Sequence, residues 1–269
     1  MKKTLTGICV LAVILFSCND SSKSSSEETS AIPNIPFQLV NSFPHDTTAF
    51  TEGLLVHDNL LYESTGSPDE LPETSSVIGI VDLTTGRLDK KVSLDKSKYF
   101  GEGMAILNNK VYQLTYKSKT GFVYDLKTFK KIKEFSFNNA EGWGLTTDGK
   151  WLIMSDGTYT LTYLDPESLA VVKTLSVKEN GFAKEQLNEL EYIKGFIYAN
   201  IWQTNEIVKI DPATGNVVAK LDLGSLASDA RTRYPKSMET NGIAYDSTVN
   251  KVYVTGKMWP RVYQIDFKH

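Results

Sequence analysis

The stretch Gly103-Met104-Ala105-Ile106-Leu107-Asn108-Asn109-Lys110-Val111-Tyr112-Gln113-Leu114-Thr115-Tyr116-Lys117 reads as a β-hairpin. A short apolar strand meets an Asn-Asn turn that tolerates left-handed backbone, and a strand rich in Val, Tyr and Leu returns. The same unit recurs in Gly53–Thr65, Gly144–Gly157, Leu190–Gln203 and Gly242–Lys257, with turns at His57-Asp58-Asn59, Asp148-Gly149, Lys194-Gly195 and Ser247–Asn250. A second hairpin follows the first in four of the units, as in Ile78–Leu83 with its turn Thr84–Arg87. Asp82, Asp125, Asp165 and Asp211 hold equivalent places in it, and Asp266 marks a fifth. Their spacing of roughly 45 residues is a propeller-blade period.

The last unit stops at Arg261–Phe267, one strand short. Phe37–Phe43, immediately before the first unit, is available to fill the gap and cover an otherwise open edge. The expected fold is therefore all-β, a five-bladed β-propeller whose N-terminal strand closes the last blade. A long meander folded as two sandwiches is the alternative, but it leaves that first strand without a purpose.

Strand direction then sorts the chemistry. Starts of the innermost strands and ends of the second strands share one face of a propeller. That face collects Phe50-Thr51-Glu52-Gly53, Phe100-Gly101-Glu102-Gly103, Glu141-Gly142-Trp143-Gly144, Asn188-Glu189-Leu190-Glu191 and Thr240-Asn241-Gly242. It also collects Glu63-Ser64-Thr65, Tyr116-Lys117, Asp156, Trp202-Gln203 and Gly256-Lys257-Met258-Trp259, whereas the opposite face carries plain turn residues. A rim of aromatics, carboxyls and a lysine around one axis suits a small ligand, and carboxyls beside aromatics are raised into the range of acids useful near neutral pH. The glycines alone are explained by the crowding of strands at an axis; the changing aromatics are not.

Ahead of the repeats, Lys2 and Lys3 precede the apolar run Leu5–Phe16, which is too short to span a bilayer. Leu15-Phe16-Ser17-Cys18 resembles a bacterial lipoprotein box; an ordinary secretory signal with an incidental cysteine is the other reading. The expected domains are a signal peptide over 1–17, a lipidated Cys18 with a flexible Ser-rich tether over 18–36, and a propeller over 37–269. The expected address is the cell envelope, lipid-anchored at Cys18 on a periplasmic or outer-membrane surface. With two cysteines, one of them lost with the signal, no internal disulfide is available.

Composition narrows the function. The 269 residues are 41% hydrophobic, enough for a sizeable core, and 29 Lys+Arg against 32 Asp+Glu leave no basic footprint for nucleic acid. Three histidines, His45, His57 and His269, lack the spacing of a metal pair. No Gly-x-Ser-x-Gly elbow is present, and Gly101-x-Gly103 and Gly142-x-Gly144 precede strands, not helices, so neither a serine hydrolase nor a dinucleotide site is indicated.

Several runs together resemble the plant-type glutaminyl-peptide cyclotransferases and their bacterial relatives. They are Phe43-Pro44-His45-Asp46, Ala49–Leu54, Leu61–Gly66, Phe100–Gly103, Glu141–Leu145, Leu187–Tyr192, Ala199–Thr204, Asn241–Ala244 and Thr255–Pro260. The resemblance spans Phe43 to Phe267. It implies a five-bladed propeller that converts N-terminal glutaminyl residues to pyroglutamyl with release of ammonia, using neither a cofactor nor a catalytic metal. It makes Glu102 the acid/base, with Lys257 beside the reacting groups. Phe50, Phe100, Trp143 and Trp202 would shape the pocket, and Asn188 would bind substrate. Two positions depart from the plant pattern. Glu52 stands where Gln is usual, bringing a second carboxyl to the substrate site, and Tyr116 stands where Trp is usual. The expected partners are a Gln-initiated peptide or protein N-terminus and a membrane through the lipid; no nucleic acid partner and a monomeric state complete the expectation. Two readings of other kinds compete: a non-catalytic surface propeller that binds peptide or glycan, and a metal-dependent lactonase-like propeller built on Glu52, Glu102, Glu189 and Asn241. The insertions Lys178–Gln186 and Ser225–Ser237 precede innermost strands, where they either cover the pocket or lengthen linkers.

Overall fold

Short strands joined by tight turns pair most readily with their sequence neighbours. In the computed structural model, which describes Met1 and residues 31–269, they do so as five four-stranded antiparallel blades. A leading strand, β1 (Phe37–Pro44), precedes the first blade, which consists of β2 (Phe50–His57), β3 (Leu60–Gly66), β4 (Val77–Val81) and β5 (Leu88–Ser93). The second blade is β6 (Gly101–Leu107), β7 (Lys110–Thr115), β8 (Thr120–Asp125) and β9 (Lys131–Ser136). The third is β10 (Leu145–Thr147), β11 (Leu152–Met154), β12 (Thr160–Leu164) and β13 (Val171–Ser176), followed by a small hairpin, β14 (Lys178–Glu179) and β15 (Phe182–Ala183). The fourth is β16 (Leu187–Ile193), β17 (Phe196–Ile201), β18 (Glu206–Ile210) and β19 (Val217–Asp222), after which comes the helix α1 (Gly224–Arg233). The fifth contains β20 (Thr240–Asp246), β21 (Lys251–Gly256) and β22 (Arg261–Phe267).

Its fourth strand is β1. The pairing runs antiparallel from Phe37 opposite Phe267 to Pro44 opposite Arg261, with a bulge between Leu39 and Asn41. First and last parts of the chain thus share one sheet. A buried clasp reinforces the join: His45 donates from Nδ1 to the Trp259 carbonyl (2.8 Å) and from Nε2 to Glu63 (3.1 Å), which also accepts from the Thr51 hydroxyl (2.7 Å). Acceptors at both ring nitrogens favour the doubly protonated imidazolium form of His45. Burial lowers its pKa, but the Glu63 carboxylate and the hydrogen bonds outweigh burial and raise it.

Turn chemistry follows the residues. Asn108 and Asn109 take φ of 52° and 58°, the left-handed pair a two-residue hairpin turn needs. Asp82, Asp125, Asp165 and Asp211 each accept a backbone N–H two or three residues on, fixing the outer turns. Asp266 sits instead on β22 opposite Gln38, because the neighbouring outer strand of this blade is β1, which no turn joins to β22.

The Glu-Gly steps are set by approach at the axis. A Cβ on Gly103 would lie 2.4 Å from the Leu145 nitrogen, and one on Gly144 would lie 2.1 Å from the Asn188 carbonyl. Adjacent inner strands therefore meet backbone to backbone, and the glutamate before Gly103 is delivered to the mouth of the axis. Apolar layers between blades, such as Tyr112, Leu114, Leu145, Leu152 and Met154, carry the packing.

Three expectations are adjusted. The folded part begins before Phe37, since the Ile35 amide donates to the Lys220 carbonyl (2.6 Å) and Ile32 and Ile35 pack against the core. Among the described residues the otherwise all-β chain holds one helix: Leu226, Ala227 and Ala230 of α1 are buried against Trp259 and Tyr263. That insertion is core, and residues of neither insertion line the axial pocket. The signal peptide, Cys18 and the tether as far as Ser30 lie outside the described residues. Among the described residues no helix is long and apolar enough to cross a membrane.

Candidate active site

The four inner-strand starts and three second-strand ends nearest the axis converge on a cavity of about 380 Å³. All eight residues singled out from the sequence line it: Phe50, Glu52, Phe100, Glu102, Trp143, Asn188, Trp202 and Lys257. Three more complete the wall, namely Tyr116, Pro68 and Glu70. Tyr116 stands at a second-strand end, where the topology points. Pro68 and Glu70 belong to the connection between β3 and β4, whose path over the mouth has no periodic signature.

The walls are aromatic and mutually braced. Phe50 meets Phe100 edge-on at 6.0 Å, Phe100 contacts Tyr116 at 5.8 Å, and Trp143 meets Trp202 edge-on at 5.6 Å between ring centroids. Glycines make room for the rings: a Cβ on Gly66 would sit 2.2 Å from the Phe100 ring, and Gly157, at φ +80°, faces Trp143. Trp143 also donates its indole N–H to Glu141 at the rim (2.9 Å).

Lys257 is the buried cation of the cavity, 5% exposed. Its Nζ lies 3.0 Å from Glu52, 3.4 Å from Glu239 and 4.7 Å from the centre of the Phe50 ring. Burial lowers its pKa, but the surrounding carboxylates of Glu52, Glu239 and Glu102 raise it further, so the ammonium stays charged. The turn that carries it is fixed by Met258 at φ 58°, whose amide donates to the Ala49 carbonyl (2.8 Å), and by buried Trp259, whose indole donates to the Met238 carbonyl (3.0 Å). Glu239 was not foreseen; it carries no aromatic neighbour in sequence to mark it.

Glu52 is held from both sides, by Lys257 on one oxygen and by the Asn241 carboxamide N–H on the other (2.8 Å). Burial pushes its pKa up to about 7 against the pull of Lys257. Glu102 is different. It is 5% exposed, and among the described residues its carboxyl accepts no hydrogen bond. Burial and the nearby Glu52 raise its pKa well above the ordinary value, with Lys257 pulling the other way. One buried carboxyl is thus fixed in an ion pair and the other is free to face whatever enters. The side-chain carboxamide oxygen of Asn188, Oδ1, buried and without a partner among the described residues, is likewise open to a donor.

Glu189 lies apart from the cavity wall. Its two oxygens accept the amides of Leu54 (3.2 Å) and Ile243 (2.8 Å), bracing the inner strands, and burial raises its pKa well above normal. Asn241 supports Glu52 without lining the cavity. The convergence of Glu52, Glu102, Glu189 and Asn241 that a lactonase-like centre requires is therefore not formed. Among the described residues no three His, Cys, Asp or Glu side chains are grouped to hold a metal ion.

These shifts set a stability window. Glu52, Glu102, Glu189 and His45 all have folded pKa values above their unfolded ones. Each contributes stability that is full below its unfolded value and lost as pH rises through its folded value. The exposed turn aspartates, Asp82, Asp125 and Asp165, are lowered by the hydroxyl and amide donors of their turns, so their contribution is lost in acid. The melting temperature is expected to be higher at pH 6 than at pH 9, and to fall again below about pH 4; calorimetry across that range checks it.

A five-bladed propeller with a ring-walled axial pocket, one free buried carboxyl and one clamped lysine defines a class of protein built for acid/base work on a small, mostly apolar group. The particular family follows from comparison: a family model described as glutamine cyclotransferase matches residues 9–267, and the chain belongs to that family. It is similar to the glutaminyl-peptide cyclotransferase of Arabidopsis thaliana, 40% identical over 264 residues that cover 96% of this chain and 80% of the plant protein. The crystal structure of Myxococcus xanthus glutaminyl cyclase superposes with a TM-score of 0.78 at 31% identity, covering 88% of this chain and 98% of the bacterial one.

Proposed function

We propose that this protein is a glutaminyl-peptide cyclotransferase, converting the N-terminal glutaminyl residue of a peptide or protein to pyroglutamyl with release of ammonia, and that Glu102 is its acid/base. The observation that carries the reading is the unpartnered, buried Glu102 carboxyl inside a pocket of aromatic rings, in a chain of this family.

The reaction is intramolecular. The α-amine forms a bond to the carbonyl carbon, Cδ, of its own side-chain amide, and the bond from that carbon to the amide nitrogen then breaks. Because both reacting groups belong to one residue, the pocket has chiefly to hold a folded-back conformer, which an aromatic slot does for a neutral side chain. The proton lost by the attacking amine must reach the departing nitrogen, so that ammonia leaves. A buried carboxyl whose pKa is raised by desolvation and by the neighbouring Glu52 holds a proton more readily than an ordinary carboxylate, which suits it to both transfers. Glu102 takes the proton from the amine and delivers it to the amide nitrogen. The Lys257 ammonium stabilises charge developing on the carbonyl oxygen, and the side-chain Oδ1 of Asn188 accepts from the substrate amine. Every step is assigned to a side chain, and none is routed through a metal.

Ammonia release from a Gln-initiated dipeptide amide, with and without a chelator, tests the reading. Turnover unaffected by the chelator is expected. Tight binding without ammonia would replace the enzyme by a peptide-binding propeller.

Trp202 supplies a second check. It is only half-buried, and its main described aromatic contact is Trp143 across the cavity. Trp202→Ala is expected to lower kcat/KM about tenfold to a hundredfold, the worth of an aromatic wall to a bound side chain, while shifting stability by about 1 kcal/mol or less. The reverse pattern would make it a core residue.

The address belongs to the same proposal. The Lys2-Lys3 pair, the apolar run and the Leu15–Cys18 box support lipid anchoring at the cell envelope.

A further inference from the structure

Charges at the pocket mouth are distributed unevenly. Lys117 lies 3.9 Å from Glu141, and Lys236 lies 3.4 Å from Glu73. Deeper in, Lys257 is shared between Glu52 and Glu239. Glu70 differs from all of these: it lines the pocket, it is exposed, and among the described residues no cation lies within 4.0 Å of its carboxylate and no donor bonds to it. Among the described residues that line the pocket, Glu70, on the connection between β3 and β4, is the one exposed charged side chain.

The cavity, at about 380 Å³, lies towards the small end of ligand pockets. With the reacting glutaminyl residue seated among the rings, the peptide leaves through the mouth, and the side chain that follows the glutamine is the first to reach the rim.

We propose that Glu70 is a specificity-determining residue, selecting N-termini in which the glutamine is followed by a lysine or arginine. This inference rests on the cyclotransferase reading. It concerns only the group at the rim, which touches the second residue of the substrate and no reacting atom. A carboxylate in contact with water gives a modest, screened attraction. Its effect appears in KM more than in kcat, because the contact is the same before and during the chemistry.

The experiment compares kcat/KM for peptides beginning Gln-Lys, Gln-Ala and Gln-Glu, on the full chain and on Glu70→Gln and Glu70→Lys, at low and at 0.5 M salt. The expected order for the unaltered chain is Lys over Ala over Glu, with steps of about two- to fivefold carried by KM. Glu70→Gln should collapse the Gln-Lys to Gln-Ala ratio towards one, Glu70→Lys should invert it, and salt should compress it. Equal kcat/KM for the three peptides, or a preference that survives Glu70→Lys, overturns the assignment of Glu70 and leaves the cyclotransferase intact. No ammonia from any of the three peptides overturns the activity itself and the assignment with it.

Discussion

Glu102→Gln is expected to reduce ammonia release from a Gln-initiated peptide by at least 10²- to 10⁴-fold, the range a positioned acid/base supplies. The substitution keeps the shape of the side chain and removes its ability to take and return a proton. Nothing structural depends on the carboxylate, since among the described residues no donor bonds to it. Stability should rise slightly near pH 9, because a buried carboxyl with a strongly raised pKa no longer has to ionise or stay protonated against solvent. The two measurements separate role from fold: circular dichroism and melting unchanged or improved, turnover gone. In the unaltered chain kcat/KM should climb between pH 6 and pH 8, because the substrate amine, with a pKa of about 7.7–8.0 in peptides, must lose its proton to attack. Full turnover by a folded Glu102→Gln variant would remove the residue from the mechanism.

The repeat and the site were legible in the sequence for one physical reason. A blade repeats its hydrogen-bonding pattern, so residues that break the pattern at the start of an innermost strand, such as Phe100 and Trp143, or at the end of a second strand, such as Trp202, lie on one rim whatever the details of packing. The glycines after Glu52 and Glu102 were legible for a second reason, since inner strands at an axis leave no space for a Cβ. What escaped lies where neither periodicity nor crowding acts. The α1 insertion has only a weak apolar face, and its burial comes from contact with Trp259 and Tyr263 on a distant strand. Glu239 and Glu70 are ordinary loop carboxylates in sequence; they acquire meaning only when tertiary structure sets one at Lys257 and the other at the mouth. The docking of Ile32 and Ile35 was hidden by the polar composition of the segment that precedes them.

Lys257→Met should damage both activity and stability, for separable reasons. Activity is expected to fall about 10²- to 10³-fold, the loss seen when a group facing developing oxyanion charge is removed. Stability is expected to fall by about 3–5 kcal/mol at high pH, because a buried ion pair broken on one side leaves charge without a partner, here Glu52 at 2% exposure beside Glu239. The sign with pH is fixed by Glu52. Its pKa already stands near 7 with Lys257 present, and Lys257 is the group holding it down; without the ammonium it rises further. Glu52 then takes a proton at pH 6 and the penalty shrinks, whereas at pH 9 two carboxylates face each other and the penalty is full. Adding Glu52→Gln to Lys257→Met removes the stranded charge while keeping a group that can bond to Asn241. The double variant should recover most of the lost melting temperature and none of the lost turnover. Recovery of both would make Lys257 merely the counter-ion of Glu52; recovery of stability alone makes the ammonium part of the chemistry.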